Sequence, residues 1–115
     1  MHELALSQSI VRTALSASGV DARRVTAIGL QVGELAAVNV SSLEFCMELV
    51  LQEHEMSRAE VRIERVPAKA RCQCGHVYAP TDMFSPCPNC AGFEREITRG
   101  KDVDIEYVEV EDEEG

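Results

Sequence analysis

Between positions 2 and 18 the apolar residues Leu4, Leu6, Ile10, Val11, Ala14 and Leu15 recur every three or four residues, while Glu3, Gln8, Arg12 and Ser16 fill the opposite arc. That period matches a helix with one buried stripe, so the segment is predicted as an amphipathic helix. Gly19 stands where a left-handed cap would end it, and Asp21 to Arg24 read as a polar connection. Thr26, Ile28, Leu30 and Val32 then alternate with Ala27, Gly29, Gln31 and Gly33, which predicts a strand whose second face has little bulk. Ser41 and Glu44 form the S-x-x-E arrangement that satisfies free amides at a helix start. Leu43, Cys46, Met47, Val50 and Leu51 follow at helical spacing, so a second amphipathic helix is expected to run to about Glu53. Val61 and Ile63 alternate with Glu60, Arg62 and Glu64 up to Pro67, which predicts a half-buried strand.

From Lys69 to Gly92 this periodicity stops and Cys, Pro, Gly and Asn take over, leaving too few large apolar side chains to build a core. Val103, Ile105 and Tyr107 resume the alternation, and the shift to Val108 and Val110 suggests a bulge or a twice-buried stretch. Glu109 to Glu114 read as a solvated, frayed end. The last strand is expected to return to the first lobe, which makes the cysteine segment an insertion. The expected class is α+β, with two helices packed on a small mixed sheet and an inserted zinc-ribbon-like lobe. The expected division is 1–68 plus 93–115 for the α+β lobe and 69–92 for the inserted lobe.

Composition narrows what such a chain can do. With 115 residues it can form one small domain, or a minimal domain with a metal-stapled lobe, but not two full-sized domains. Twenty acidic residues against eleven basic ones give a net charge of −9, a field that repels phosphate backbones and anionic membranes. No nucleic-acid partner is expected. No apolar run approaches the roughly 18 residues of a membrane span, and His2 and Glu3 replace the basic start of a secretion signal. No membrane association and a cytoplasmic location are therefore expected. Five cysteines in a reducing compartment remain thiols or bind metal, and four of them fall between Cys72 and Cys90.

Those four residues form two close pairs. Cys87-Pro88-Asn89-Cys90 is a C-x-x-C half-site followed by Gly92, and Cys72-Gln73-Cys74 is a shortened pair followed by Gly75. Zinc takes four thiolates in a tetrahedron, and two pairs joined by a loop supply them with little distortion of the chain. His76 is an alternative fourth ligand should Cys72 point away. Four protein ligands leave no position for water, so such an ion is structural. Cys46 sits on the inner side of the second helix as a small core residue, and His54 ends that helix as a cap or faces solvent.

Met1-His2-Glu3 offers a second and different donor set. The α-amine of Met1, the amide nitrogen of His2 and its imidazole can close adjoining chelate rings around one ion, with Glu3 as a fourth donor. Planar nitrogen donors suit Ni(II) or Cu(II), whereas Zn(II) prefers a tetrahedron and Mg(II) prefers oxygen. Taken alone, the same residues read first as the exposed first turn of a helix, with Glu3 near the positive end of its dipole.

The opening Met1-His2-Glu3, the segment Ser41-Ser42-Leu43-Glu44-Phe45-Cys46, the two cysteine pairs and the acidic last strand together resemble the HypA family of hydrogenase nickel-incorporation proteins. The likeness runs in order over essentially the whole chain. It implies a nickel metallochaperone that delivers nickel for maturation of [NiFe] hydrogenase, with some members also serving urease. It also implies Ni(II) at Met1, His2 and Glu3 in a nickel-binding α+β lobe, and structural Zn(II) at Cys72, Cys74, Cys87 and Cys90. The partners it implies are a HypB-type GTPase and the hydrogenase large subunit precursor. The C-x-C form of the first pair departs from the family's usual C-x-x-C. The competing expectation is a zinc-ribbon protein-interaction module with no nickel function. There is no Gly-rich phosphate loop, no H-E-x-x-H helix and no catalytic triad, so no enzymatic activity is expected.

Overall fold

The computed structural model describes residues 2–111. Within them the chain runs α1 His2–Ser18, a 3-10 turn Ala22–Arg24, β1 Val25–Gly33, α2 Val40–Glu53, β2 Glu60–Val66, β3 Lys69–Cys72, β4 Val77–Tyr78, β5 Arg95–Arg99 and β6 Val103–Val110. The strands form two three-stranded sheets among the described residues, ordered β2-β1-β6 and β4-β3-β5. This is an α+β fold of two helices with small mixed sheets and a cysteine-bearing, zinc-ribbon-like lobe. The residues gather into two compact units. One takes the chain up to Leu30, Val38–Ile63 and the residues from Ile105 on, and the other takes Gln31–Ala37 and Glu64–Asp104.

In the first unit α1 buries Ile10, Val11 and Ala14 on the predicted stripe. Ser7 is also buried there, and its hydroxyl is satisfied by donating to the Glu3 carbonyl at 2.8 Å. The helix ends where expected, at Gly19 with φ +66°. Helix α2 buries Leu43, Cys46, Met47, Val50 and Leu51 and packs on α1. Its start corrects the sequence expectation: the cap is Asn39, whose side-chain oxygen accepts the Ser42 amide at 2.9 Å, and Ser41 already lies inside the helix. Two residues separate the observed cap from the expected one, because Asn39 and Ser41 are both good capping residues and local sequence does not rank them.

Strand β1 is buried along both faces, from Val25 through Ala27, Ile28, Gly29 and Leu30. The small second face has a reason. A Cβ on Gly29 would lie 2.3 Å from the ring of Tyr107, so the aromatic ring of β6 occupies the space a side chain would fill. Contacts at the two ends of the pair run in opposite directions along the chain. The Glu111 amide bonds the Arg24 carbonyl at 2.7 Å, and the Gly33 amide bonds the Asp102 carbonyl at 2.9 Å, which makes β1 and β6 antiparallel. The helix between β1 and β2 is the crossover that a parallel neighbour requires.

The acidic end is also corrected. Glu109 receives Arg62 at 2.8 Å, and Glu111 receives Arg58 at 2.5 Å, while the Glu111 carbonyl accepts Arg24 at 2.6 Å. Glu109 and Glu111 are exposed, as expected, but they are held by these contacts and not frayed. Positions 112–114 of that expectation lie outside the described residues. Val110 is 38% exposed, so the end of β6 is not buried on both faces.

The second unit contains a sheet that the sequence pattern did not announce. Strand β3 pairs antiparallel with β4 through Ala70↔Tyr78 and with β5 through Ala70↔Ile97 and Cys72↔Arg95. Its buried residues are small: Ala68, Ala70, Cys72 and Cys87, with Val32 and Val66. No helix among the described residues is long and apolar enough to cross a membrane.

Candidate metal centre

The two cysteine pairs lie on matching turns of the second unit. At the end of β3 the Cys72 amide bonds the His76 carbonyl at 2.9 Å and the Gly75 amide returns to the Cys72 carbonyl at 2.8 Å. Gly75 makes that return with φ +95°, a conformation a side chain would resist. The second turn repeats the scheme: the Cys87 amide bonds the Gly92 carbonyl at 2.9 Å, and the Ala91 amide bonds the Cys87 carbonyl at 2.7 Å. One intervening residue in the first pair is therefore enough, because the backbone still curls around the cysteine sulfurs.

All four sulfurs lie within 4.8 Å of one another. Cys72 Sγ is 3.5 Å from Cys90 Sγ, and Cys74 Sγ is 3.8 Å from Cys87 Sγ, so each close contact joins one pair to the other. A disulfide needs about 2.05 Å, which excludes both contacts as bonds. A tetrahedron with metal–sulfur arms of about 2.3 Å has edges of about 3.8 Å, which is the spacing the two turns create. His76 is not in this group; its ring stacks on Tyr78 with centroids 6.3 Å apart.

The surroundings treat the sulfurs differently, favouring charge on Cys74 and opposing it on Cys72. The His76 amide and the Asn89 side chain donate toward Cys74, bringing its thiol down to about 6. Cys72 receives a hydrogen bond from the Cys74 backbone that lowers its value, but burial and the neighbouring thiols push it up to about 12. The Gly92 amide points at Cys90 Sγ from 3.4 Å. A divalent cation supplies what burial takes away at Cys72, and the N–H donors share the remaining negative charge. The donor set and its spacing thus fit a tetrahedral four-thiolate metal site.

At the other candidate position, His2 opens α1 with its side chain 61% exposed, and His2 Nε2 lies 3.1 Å from Glu3 Oε2. Glu3 is anchored by the Asn39 amide, which donates to Glu3 Oε2 at 3.3 Å and holds its carboxyl below the usual range, with His2 adding to the effect. The amides of a helix's first turn have no carbonyl four residues back, so the His2 and Glu3 nitrogens carry no intrahelical bond. Met1 lies outside the described residues. Asn39 and Asn89, which contact Glu3 and Cys74, were not singled out from the sequence as contributors to either site. Asn39 stood at a plausible cap position, and Asn89 stood inside the cysteine turn, where an amide donor reaches a sulfur.

A protein-family model described as "HypA: Hydrogenase/urease nickel incorporation, metallochaperone, hypA" matches residues 1–110. The hydrogenase maturation factor HypA of Geotalea uraniireducens (strain Rf4) is 36% identical over 112 residues, covering 96% of this chain and 100% of its own. That of Methanocella arvoryzae (strain DSM 22066 / NBRC 105507 / MRE50) is 35% identical over 113 residues, covering 96% and 99%. The solution structure of the Ni metallochaperone HypA from Helicobacter pylori matches in fold with a TM-score of 0.71 at 21% identity, covering 96% of this chain and 98% of that one.

Proposed function

Since the chain belongs to the HypA family of hydrogenase/urease nickel-incorporation metallochaperones, we propose that it accepts Ni(II) at its amino end and passes it on for maturation of [NiFe] hydrogenase. The carrying observation is the exposed His2–Glu3 pair at the start of α1, an imidazole 3.1 Å from a carboxylate beside amides that no helical carbonyl claims. The Met1 amine, the His2 amide nitrogen and the His2 imidazole offer Ni(II) neighbouring nitrogen donors, and Glu3 adds an oxygen or a further amide. Deprotonating the His2 amide for such a bond breaks no hydrogen bond of the helix. An exposed donor set also suits handover, because incoming ligands can replace outgoing ones without unfolding the chain.

The Asn39 contact keeps Glu3 ionised and oriented toward His2. Zn(II) on Cys72, Cys74, Cys87 and Cys90 supplies a cross-link that orders the second unit. The recipients we propose are a HypB-type GTPase and the precursor of the hydrogenase large subunit, in the cytoplasm, as the family role implies. The test is calorimetric titration of untagged protein with Ni(II), beside His2→Ala and a variant extended by two residues before Met1. One-to-one binding should weaken by about 100-fold or more in both variants, while zinc content and helical circular dichroism stay unchanged. Equal nickel affinity in all three proteins would show that the amino end is not the acceptor.

A further inference from the structure

The outer face of the helical pair carries apolar side chains that the core does not use. Phe45 is 62% exposed, Leu49 is 42% exposed and Leu4 is 37% exposed. Phe45, Leu49 and Gln52 stand at i, i+4 and i+7 on α2, so they share one face away from the buried Leu43, Cys46, Met47 and Val50. Leu4 and Gln8 of α1 meet Leu49, Gln52 and Glu53 of α2 around a groove of about 510 Å3. The groove follows helices, and ridges spaced three and four residues apart accept the side chains of another helix.

Charge selects the occupant. Helix α2 carries Glu44, Glu48 and Glu53, all exposed, and no Lys or Arg. The same imbalance marks the helical unit, with ten acidic residues against five basic ones among its described residues, whereas the second unit has seven against six. A second copy seated on this face would bring the same carboxylates against one another, which like charges oppose. We propose that the Leu4–Leu49 groove, together with the exposed Phe45 one turn away on the same face of α2, is a docking site for an amphipathic helix of a partner protein, with its apolar stripe on this face and Lys or Arg along its flanks. Leu4 directly follows His2 and Glu3, so a docked partner would sit beside the residues proposed to hold nickel. That consequence rests on the proposed function; the groove itself does not.

The probe is an acetylated 18-residue peptide with Leu at i, i+3, i+4 and i+7 repeats and Lys elsewhere, with dye-labelled anisotropy as the readout. It should bind one-to-one, and Phe45→Ser and Leu49→Ser should each weaken it about tenfold, the change that roughly 1.4 kcal/mol produces. Glu48→Lys should weaken it further at low salt than at high salt. Because these side chains are exposed, far-UV circular dichroism should show all three variants folded. Hydrogen exchange should slow over Leu4–Gln8 and Phe45–Glu53 when peptide is added. His2→Ala should bind the peptide as the natural chain does, which separates a failure of the groove from a failure of the nickel site. The proposal is overturned if a scrambled peptide of the same composition binds equally well, or if the Ser variants bind unchanged. It is equally overturned if the chain alone proves to be a dimer that Phe45→Ser dissociates.

Discussion

The helical unit and the cysteine unit have opposite interiors. Among the described residues, the first buries Ile10, Val11, Ile28, Leu30, Leu43, Met47, Val50, Leu51 and Met56, while the second buries Val32, Val66, Ala68, Ala70, Cys72 and Cys87. A fully buried large aliphatic side chain contributes about 1.5–3 kcal/mol. The first unit gathers many of them, so hydrophobic burial carries far more there than in the second. The second has two valines, two alanines, Pro80 and a cluster of sulfurs, and its four-cysteine group is compatible with a metal that the folded chain binds and the unfolded chain does not. Hydrophobic burial is then expected to carry the stability of one side and metal–thiolate bonds that of the other.

The strongest way to break that assignment is to remove the metal. A structural Zn(II) on thiolates contributes roughly 10–16 kcal/mol to a small metal-dependent fold. Cys87→Ser, or treatment with a strong chelator, should therefore abolish slow amide exchange across Ala70, Cys72 and Cys87. Protection at Ile28, Leu30, Val50 and Leu51 should persist, and elemental analysis should show zinc falling from about one per chain to near zero. Persistent protection of the second unit without zinc would show that its small interior suffices, and the contrast drawn above would fail.

The converse change addresses the other interior. Leu43 is fully buried in α2. Leu43→Ala should cost about 2–5 kcal/mol, the range for deleting a large core side chain. Chemical denaturation followed at the helical signal should report the loss, while zinc stoichiometry remains about one per chain. A variant that lost zinc as readily as helix would mean that the two interiors are not separable in the way their composition indicates.

How much of this was readable beforehand depended on where the instruction lay. The stripe of Ile10, Val11 and Ala14, and that of Leu43, Met47 and Val50, are local patterns whose period alone fixes a helix, and both helices stand there, the cap of α2 lying two residues before the expected one. The cysteine cluster was equally plain, but whether Cys72 or His76 completed it was not, and the sulfur geometry groups Cys72 with the other three. Strand β5 was not legible. Its Arg95–Arg99 segment has one apolar residue, Ile97, and is a strand because β3 offers it a partner across Ala70 and Cys72. The ion pairs that hold Glu109 and Glu111 were hidden for the same reason, since Arg62 and Arg58 are remote in sequence. The small residue at Gly29 could be seen, but not the Tyr107 ring that explains it. Long-range partners decide all three, and one sequence does not display them.

The smallest effect sharpens the helical side of the contrast, where the sequence and structure disagree by two residues. If Asn39 caps α2, Asn39→Ala removes an acceptor from the Ser42 amide and should cost about 1 kcal/mol, the usual value for losing a cap. Ser41 is exposed and already within the helix, so Ser41→Ala should change stability by only about 0.5 kcal/mol or less. The Asn39 backbone amide also donates to Glu3, and that contact survives the substitution because it does not use the side chain. Nickel binding by Asn39→Ala should therefore match the natural chain while its unfolding midpoint falls. Paired denaturation and nickel titrations of the two variants would decide the point. A larger loss for Ser41→Ala would restore the capping box read from the sequence, and a nickel defect confined to Asn39→Ala would mean that the loop before α2 positions Glu3 through the cap itself.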